Sequence, residues 1–168
     1  MLSPNKLKKL LESTDEIELF SLKNKQFLAK VITVYDGDTC KVNIFLNDNE
    51  LSKFTVRLFG YDSPEIKTKD PIEKKFAELS KSCLEKMILD KVVNLNCYEF
   101  DKYGRVLAKI TSKTIVGDIF IINDFMVKNH LGYPYKGDTK NSFQELYKNN
   151  YYREEEIDIP TTIHYQTI

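Results

Sequence analysis

Apolar residues recur with a two-residue period in three successive stretches of the chain: Leu28, Ile32 and Val34, then Cys40, Val42, Ile44 and Leu46, then Phe54, Val56 and Leu58. That period predicts three strands, each with one face turned to a core. Asp36-Gly37-Asp38 separates the first two and Asn47-Asp48-Asn49-Glu50 the next two. Both are turn chemistry, so the strands should form an antiparallel meander. A helical pattern follows, with Asp70 as N-cap, Pro71 at the first helical position, Glu73 completing a capping box, and Ile72, Phe76, Leu79, Cys83 and Met87 on one face. Two further strands are expected over 92–99 and 105–111, joined by Phe100-Asp101-Lys102-Tyr103-Gly104. A second helix should run from Asn123 as N-cap to Leu131, and a third should start at Ser142 with Glu145 in a capping box. Ahead of the first strand, Pro4 to Glu12 predicts a short amphipathic helix carrying Leu7, Leu10 and Leu11 on one side.

Three meandering strands, a helix, two strands and further helices match a five-stranded OB-type barrel with three helices, an α+β fold that is mainly β. The expected organisation is an N-terminal extension over 1–26, the barrel domain over 27–149 and an acidic tail over 150–168. At 168 residues with 42% hydrophobic content the chain can build a single core. No apolar run is long enough to cross a bilayer. The cysteines Cys40, Cys83 and Cys97 are odd in number and contain no CxxC pair, which suggests buried thiols of a reducing compartment. With no signal-peptide pattern at the N-terminus, an intracellular protein is expected, packaging in a particle or export by another route being the alternative.

Lysine plus arginine number 25 and aspartate plus glutamate 25, a formal net charge of zero that by itself disfavours a nucleic-acid partner. The balance is uneven along the chain. The last nineteen residues hold Arg153 against Glu154, Glu155, Glu156 and Asp158, a net of −3, and the preceding residues carry 24 basic against 21 acidic groups, a net of +3.

Four acids fall at strand ends: Asp36 and Asp38 around Gly37, and Asp62 and Glu65 in Phe59-Gly60-Tyr61-Asp62-Ser63-Pro64-Glu65. Either stretch alone reads as an ordinary turn. In a meander, however, the end of the first strand and the end of the third lie at the same rim, where Asp38 and Asp62 can converge. Two unit charges about 4 Å apart repel by about 4 kcal/mol at an effective dielectric near 20. A hard cation removes that penalty, and carboxylate and carbonyl oxygens are what calcium selects. Arg57 alternates with the core residues Val56 and Leu58 and so projects from the other face, while Arg105 begins the last long strand. A strand arginine is usually a solvated or salt-bridged side chain. Two guanidinium forks beside a cation instead suit a phosphodiester whose charge grows in the transition state.

Val34-Tyr35-Asp36-Gly37-Asp38-Thr39, Arg57 to Glu65, and Asp101-Lys102-Tyr103-Gly104-Arg105-Val106-Leu107-Ala108 resemble, in order and spacing, the three signature segments of the staphylococcal nuclease (thermonuclease) family. The resemblance covers roughly residues 27–146 and implies an OB barrel with calcium-dependent cleavage of DNA and RNA. It assigns Asp38 and Asp62 as carboxylate ligands of Ca2+, Ser63 as a backbone-carbonyl ligand where the family usually has Thr, and Asp36 as support from the edge. It makes Glu65 the general base, and Arg57 and Arg105 the groups that grip the scissile phosphate. Lys102 and Tyr103 are assigned to a neighbouring phosphate, and Tyr133 and Tyr135 to the bound nucleotide. The segment His130-Leu131-Gly132-Tyr133-Pro134-Tyr135 is shorter than in the secreted bacterial enzyme. The expected partner is single-stranded or locally open DNA or RNA, with no membrane and a monomeric protein. The competing reading is a non-catalytic OB module that binds nucleic acid or a protein partner. Such a module has little use for converging carboxylates.

Overall fold

The protein is described by a computed structural model over residues 2–114, 117–153, 157–159 and 163–164. Five long strands form its frame: β1 (Gln26–Val34), β2 (Thr39–Asn47), β3 (Glu50–Leu58), β5 (Val92–Phe100) and β6 (Val106–Thr114), with the two-residue β4 (Tyr61–Asp62) between β3 and the main helix. β1, β2 and β3 are the expected antiparallel meander, β1 also pairs with β5, and β5 with β6. A parallel seam closes the barrel, pairing Val56 with Val106, Arg57 with Leu107 and Leu58 with Ala108. The fold is thus the closed, mainly β barrel of the OB type, with no open edge at the seam.

Helix α2 (Pro71–Ile88) lies between the third and fourth long strands. Asp70 caps it, accepting from the backbone N–H groups of Ile72 and Glu73, with Pro71 at the first position. Among the described residues there are three other helices: α1 (Pro4–Leu11), α3 (Ile122–Lys128) and α4 (Phe143–Lys148), the last capped as expected by Ser142 Oγ. β7 (Ile119–Ile121) and β9 (Ile163–His164) pair antiparallel with the end of β6, and β8 (Tyr133–Pro134) pairs with β4.

Val31, Val42, Val56, Leu95 and Ile110 fill the barrel, and Leu84, Met87 and Ile88 of α2 close its base. Each such side chain contributes about 1.5–3 kcal/mol when fully buried. A second, aromatic core of Phe76, Phe143 and Tyr152 joins α2 to α4 and to the start of the segment read as a tail. All three cysteines are buried and free.

Three local expectations shift. In β1 the buried residues are Ala29, Val31 and Val34, while Leu28 is exposed, because the register slips between Val31 and Thr33. A bulge there exchanges the two faces halfway along the strand. In α2, Ile72 and Leu79 are exposed and the buried stripe runs through Ala77 and Ser80. Small side chains are needed on that face because Gly37 approaches it. Finally, Asn123 is not an N-cap but a buried member of α3. Its side-chain amide donates to the carbonyls of Phe59 and Ala108, and its oxygen accepts from the N–H of Ile110, pinning the helix to the seam.

Candidate active site

The loop from β1 to β2 is shaped by its own first acid. The N–H of Asp38 donates to Asp36 Oδ1 at 3.1 Å, and the N–H of Tyr35 donates to the carbonyl of Thr39 at 2.8 Å. A Cβ on Gly37 would stand 2.0 Å from Ser80 Oγ and 2.7 Å from Ser63 Cβ, so only glycine lets α2 and the Ser63 turn press against this loop. The buried Tyr61 hydroxyl donates to the Gly37 carbonyl at 2.7 Å. These contacts hold Asp36 and Asp38 at the rim where β3 ends.

Arg57 stands at the centre. Its Nη1 pairs with Asp38 Oδ1, and its Nη2 donates to Asp62 Oδ1 at 2.6 Å and to the Tyr61 carbonyl at 3.3 Å. Asp38 also accepts from Thr39 Oγ1 at 2.8 Å, and from the N–H and Oγ of Ser63 at 2.9 and 3.0 Å. Asp62 Oδ1 is shared with Lys140 Nζ at 2.8 Å, and Asp62 Oδ2 accepts weakly from the Tyr133 hydroxyl at 3.4 Å.

The charges of this cluster act on one another. Burial works against ionisation of Asp38, but the Arg57 guanidinium overrides it and holds the carboxyl below its ordinary range. Burial also disfavours the charge on Arg57, and Asp38 reverses that effect and raises its pKa. Asp36 has no such partner: burial, and then the neighbouring charge of Asp38, push it up to about 6. The rim carries more negative charge than its fixed guanidinium neutralises.

On the opposite wall, Asp101 builds the turn that delivers Arg105. Its Oδ1 accepts from the N–H groups of Tyr103 and Arg105 at 2.8 and 2.9 Å, and its Oδ2 from Arg105 Nε at 2.7 Å. Gly104, at φ 77°, completes the turn. Nε is one of five guanidinium donors, so the fork keeps its capacity for an anion. The Tyr103 ring lies under both Lys102 and Arg105, at 5.1 and 5.5 Å from its centroid. Glu65 is exposed, and its Oε1 accepts from the N–H of Lys67.

One cleft of about 510 Å³ runs between these walls. Asp36, Asp38, Arg57, Asp62, Ser63 and Glu65 line it from one side, and Lys102, Tyr103, Arg105 and Tyr135 also face it. Tyr133 does not line it: its ring is 5% exposed, and its hydroxyl is turned to Asp62. Sequence reasoning missed three contributors. Tyr61 and Asp101 lie in the signature segments without a role of their own, and Lys140 lies in a polar stretch without a motif. The Asp-x-x-Gly-Arg spacing was the available signal for Asp101.

The donor set fits a hard divalent cation by its chemistry: three carboxylates and the Ser63 backbone at one rim, with negative charge in excess. Among the described residues no three acids, histidines or cysteines are gathered in ligating geometry. Arg57 and Lys140 already bind the oxygens of Asp38 and Asp62.

A closed OB barrel whose rim and seam bring three carboxylates and two arginines to one cleft defines a staphylococcal-nuclease-like domain. The family described as Staphylococcal nuclease homologue matches residues 55–157, and the chain belongs to that family. A search of curated proteins gave no match. Among the described residues no helix is long and apolar enough to cross a membrane.

Proposed function

We propose that the protein is a calcium-dependent nuclease that hydrolyses phosphodiester bonds of DNA and RNA. The observation that carries this reading is the gathering of Asp36, Asp38, Asp62, Glu65, Arg57 and Arg105 on one cleft from three separate chain segments. Asp38 and Asp62 would hold the cation through carboxylate oxygens and Ser63 through its carbonyl, with Asp36 supporting from the edge. Bound there, calcium supplies positive charge beside the scissile phosphate.

The chain's own groups do the rest. Glu65 orients a water and takes its proton as the water oxygen forms a bond to phosphorus, a role worth about 10²–10⁴ in rate. The phosphorus–oxygen bond opposite the attack breaks, and a guanidinium beside it stabilises the departing oxygen. Arg57 and Arg105 also share the charge of the five-coordinate phosphorus. Lys102 and Tyr103 contact the adjoining phosphate. Tyr135 offers a ring on which a base can stack, a contact worth about 1–3 kcal/mol and tolerant of any base.

The test is cleavage of single-stranded DNA and RNA by purified protein in calcium, in magnesium and in chelator, together with the Glu65→Gln and Arg105→Ala variants. Calcium-dependent cleavage lost in both variants is the expected result. Cleavage that persists in chelator, or is undiminished in either variant, overturns the mechanism.

A further inference from the structure

The strap after β8 brings a cation into the cleft that the three signature segments do not contain. Tyr135 fixes its base, its N–H donating to the Gly60 carbonyl at 3.0 Å, and its hydroxyl donating to the Asp138 carbonyl at 2.9 Å closes the strap on itself. Gly137, at φ 105°, supplies the turn. The strap ends with Lys140, whose ammonium sits 2.8 Å from Asp62 Oδ1 and 5.8 Å from the centroid of the Tyr135 ring.

The two cations on Asp62 differ in kind. Arg57 has a side chain only 10% exposed and is held by Asp38, Asp62 and the Tyr61 carbonyl, so it cannot leave without stranding two buried carboxylates. Lys140 has a side chain 59% exposed, on a flexible stem with one carboxylate partner in the cleft. With its ammonium in solvent and its carboxylate already held by Arg57, such a pair is worth about 1 kcal/mol. Lys140 is therefore the cation a divalent ion can displace.

We propose that Lys140 is an exchangeable counter-ion: it neutralises Asp62 while the metal is absent, yields the carboxylate when a divalent cation binds, and then serves the cleft as a phosphate contact. This rests on the assignment of Asp62 as a calcium ligand. Once Asp36, Asp38 and Asp62 face a metal, the acid left on the near wall is Glu65, which already accepts from the N–H of Lys67. A nucleic-acid phosphate entering the same cleft offers the anion it has lost. Metal binding and substrate binding are then linked through one side chain, the metal working against Lys140 and the substrate phosphate recruiting it.

The experiment compares wild type, Lys140→Met and Lys140→Arg by calorimetric titration with calcium alone. It then measures binding of a single-stranded oligodeoxynucleotide in calcium over a range of salt, each in a Glu65→Gln background to prevent cleavage. Removing an ion pair worth about 1 kcal/mol should tighten calcium binding in Lys140→Met by about fivefold, with Lys140→Arg close to wild type. In the same variant the log–log salt slope of oligonucleotide binding should fall by about 0.7, one phosphate contact on a single strand. Calcium affinity equal in wild type and Lys140→Met overturns the counter-ion role, and an unchanged salt slope overturns the phosphate role. Absence of calcium binding in every variant, wild type included, instead removes the calcium assignment on which the proposal stands.

Discussion

The hydroxyl of Tyr61 and the carbonyl of Gly37, twenty-four positions apart in the chain, are joined by a buried 2.7 Å hydrogen bond beneath the acidic rim. Tyr61 is 1% exposed, so no water can replace its hydroxyl without opening the core. Tyr61→Phe should leave the carbonyl unpaired and cost about 1–3 kcal/mol of stability, read as a lower urea midpoint at unchanged m-value. Calcium affinity should fall with it, because the same bond fixes the loop that carries Asp36 and Asp38. A variant with wild-type stability and wild-type calcium affinity would contradict this account of the loop.

Gly37 and Ser80 form a close contact that a methyl group cannot share. Gly37→Ala should destabilise the protein by about 1–3 kcal/mol through overpacking. Ser80→Gly removes both Ser80 atoms that the new Cβ would meet, so the double variant should be more stable than the sum of the single effects predicts. Additive single effects would show that the clash is relieved elsewhere.

The two arginines should separate stability from catalysis. Arg57→Ala strands Asp38 and Asp62 in a buried site and should cost about 3–5 kcal/mol. Arg105→Ala breaks a partly exposed pair and should change stability by less than about 1 kcal/mol, while lowering kcat by about 10²–10³. Thermal melts and single-turnover cleavage of the two variants check this, and similar melting temperatures for both would refute the distinction.

Asp101 gives a pH dependence whose sign can be worked out. Burial is the largest single influence and opposes its ionisation, but the N–H and guanidinium of Arg105 and the N–H of Tyr103 together outweigh it and lower its pKa below the ordinary 3.8. A folded-state value below the unfolded one means that its ion form stabilises the protein above about pH 4, and that this contribution is lost as pH falls through the folded value. The melting-temperature difference between wild type and Asp101→Asn should therefore be constant from about pH 7 to about pH 5 and shrink as the pH falls below about 4. A difference that grows on acidification would contradict the assigned partners.

The cysteines should be inert in the native protein. Burial raises Cys40 to about 12 and Cys83 and Cys97 to about 11, so almost no thiolate exists near neutral pH. Alkylation with iodoacetamide should label none of them until denaturant is added. Rapid native labelling of any one would show that the barrel or α2 opens readily.

The charged segments of the cleft were legible in the sequence because turn chemistry is local: Asp36-Gly37-Asp38 and Asp101 to Arg105 carry their conformations in their own residues. The barrel topology followed from strand order and turn type for the same reason. What escaped was set by contacts between distant segments. The inward face of β1 depends on a bulge at Val31 to Thr33, and the buried stripe of α2 depends on Gly37 pressing against Ser80. Asn123 reads as a cap in one dimension, yet its amide is spent on Phe59, Ala108 and Ile110. Lys140 reaches Asp62 across 78 positions, beyond any local pattern.

The parallel seam of β3 and β6 also sets a timetable. Arg57 and Arg105 stand on the two sides of that seam, and every strand between them must be laid down before it can form. Closing so long a loop is slow compared with making the β1–β3 meander. A chain emerging from the ribosome therefore carries its acidic rim early and its second guanidinium late. The cleft is assembled only once the seam has closed, and a half-made copy carries its carboxylates without the second arginine.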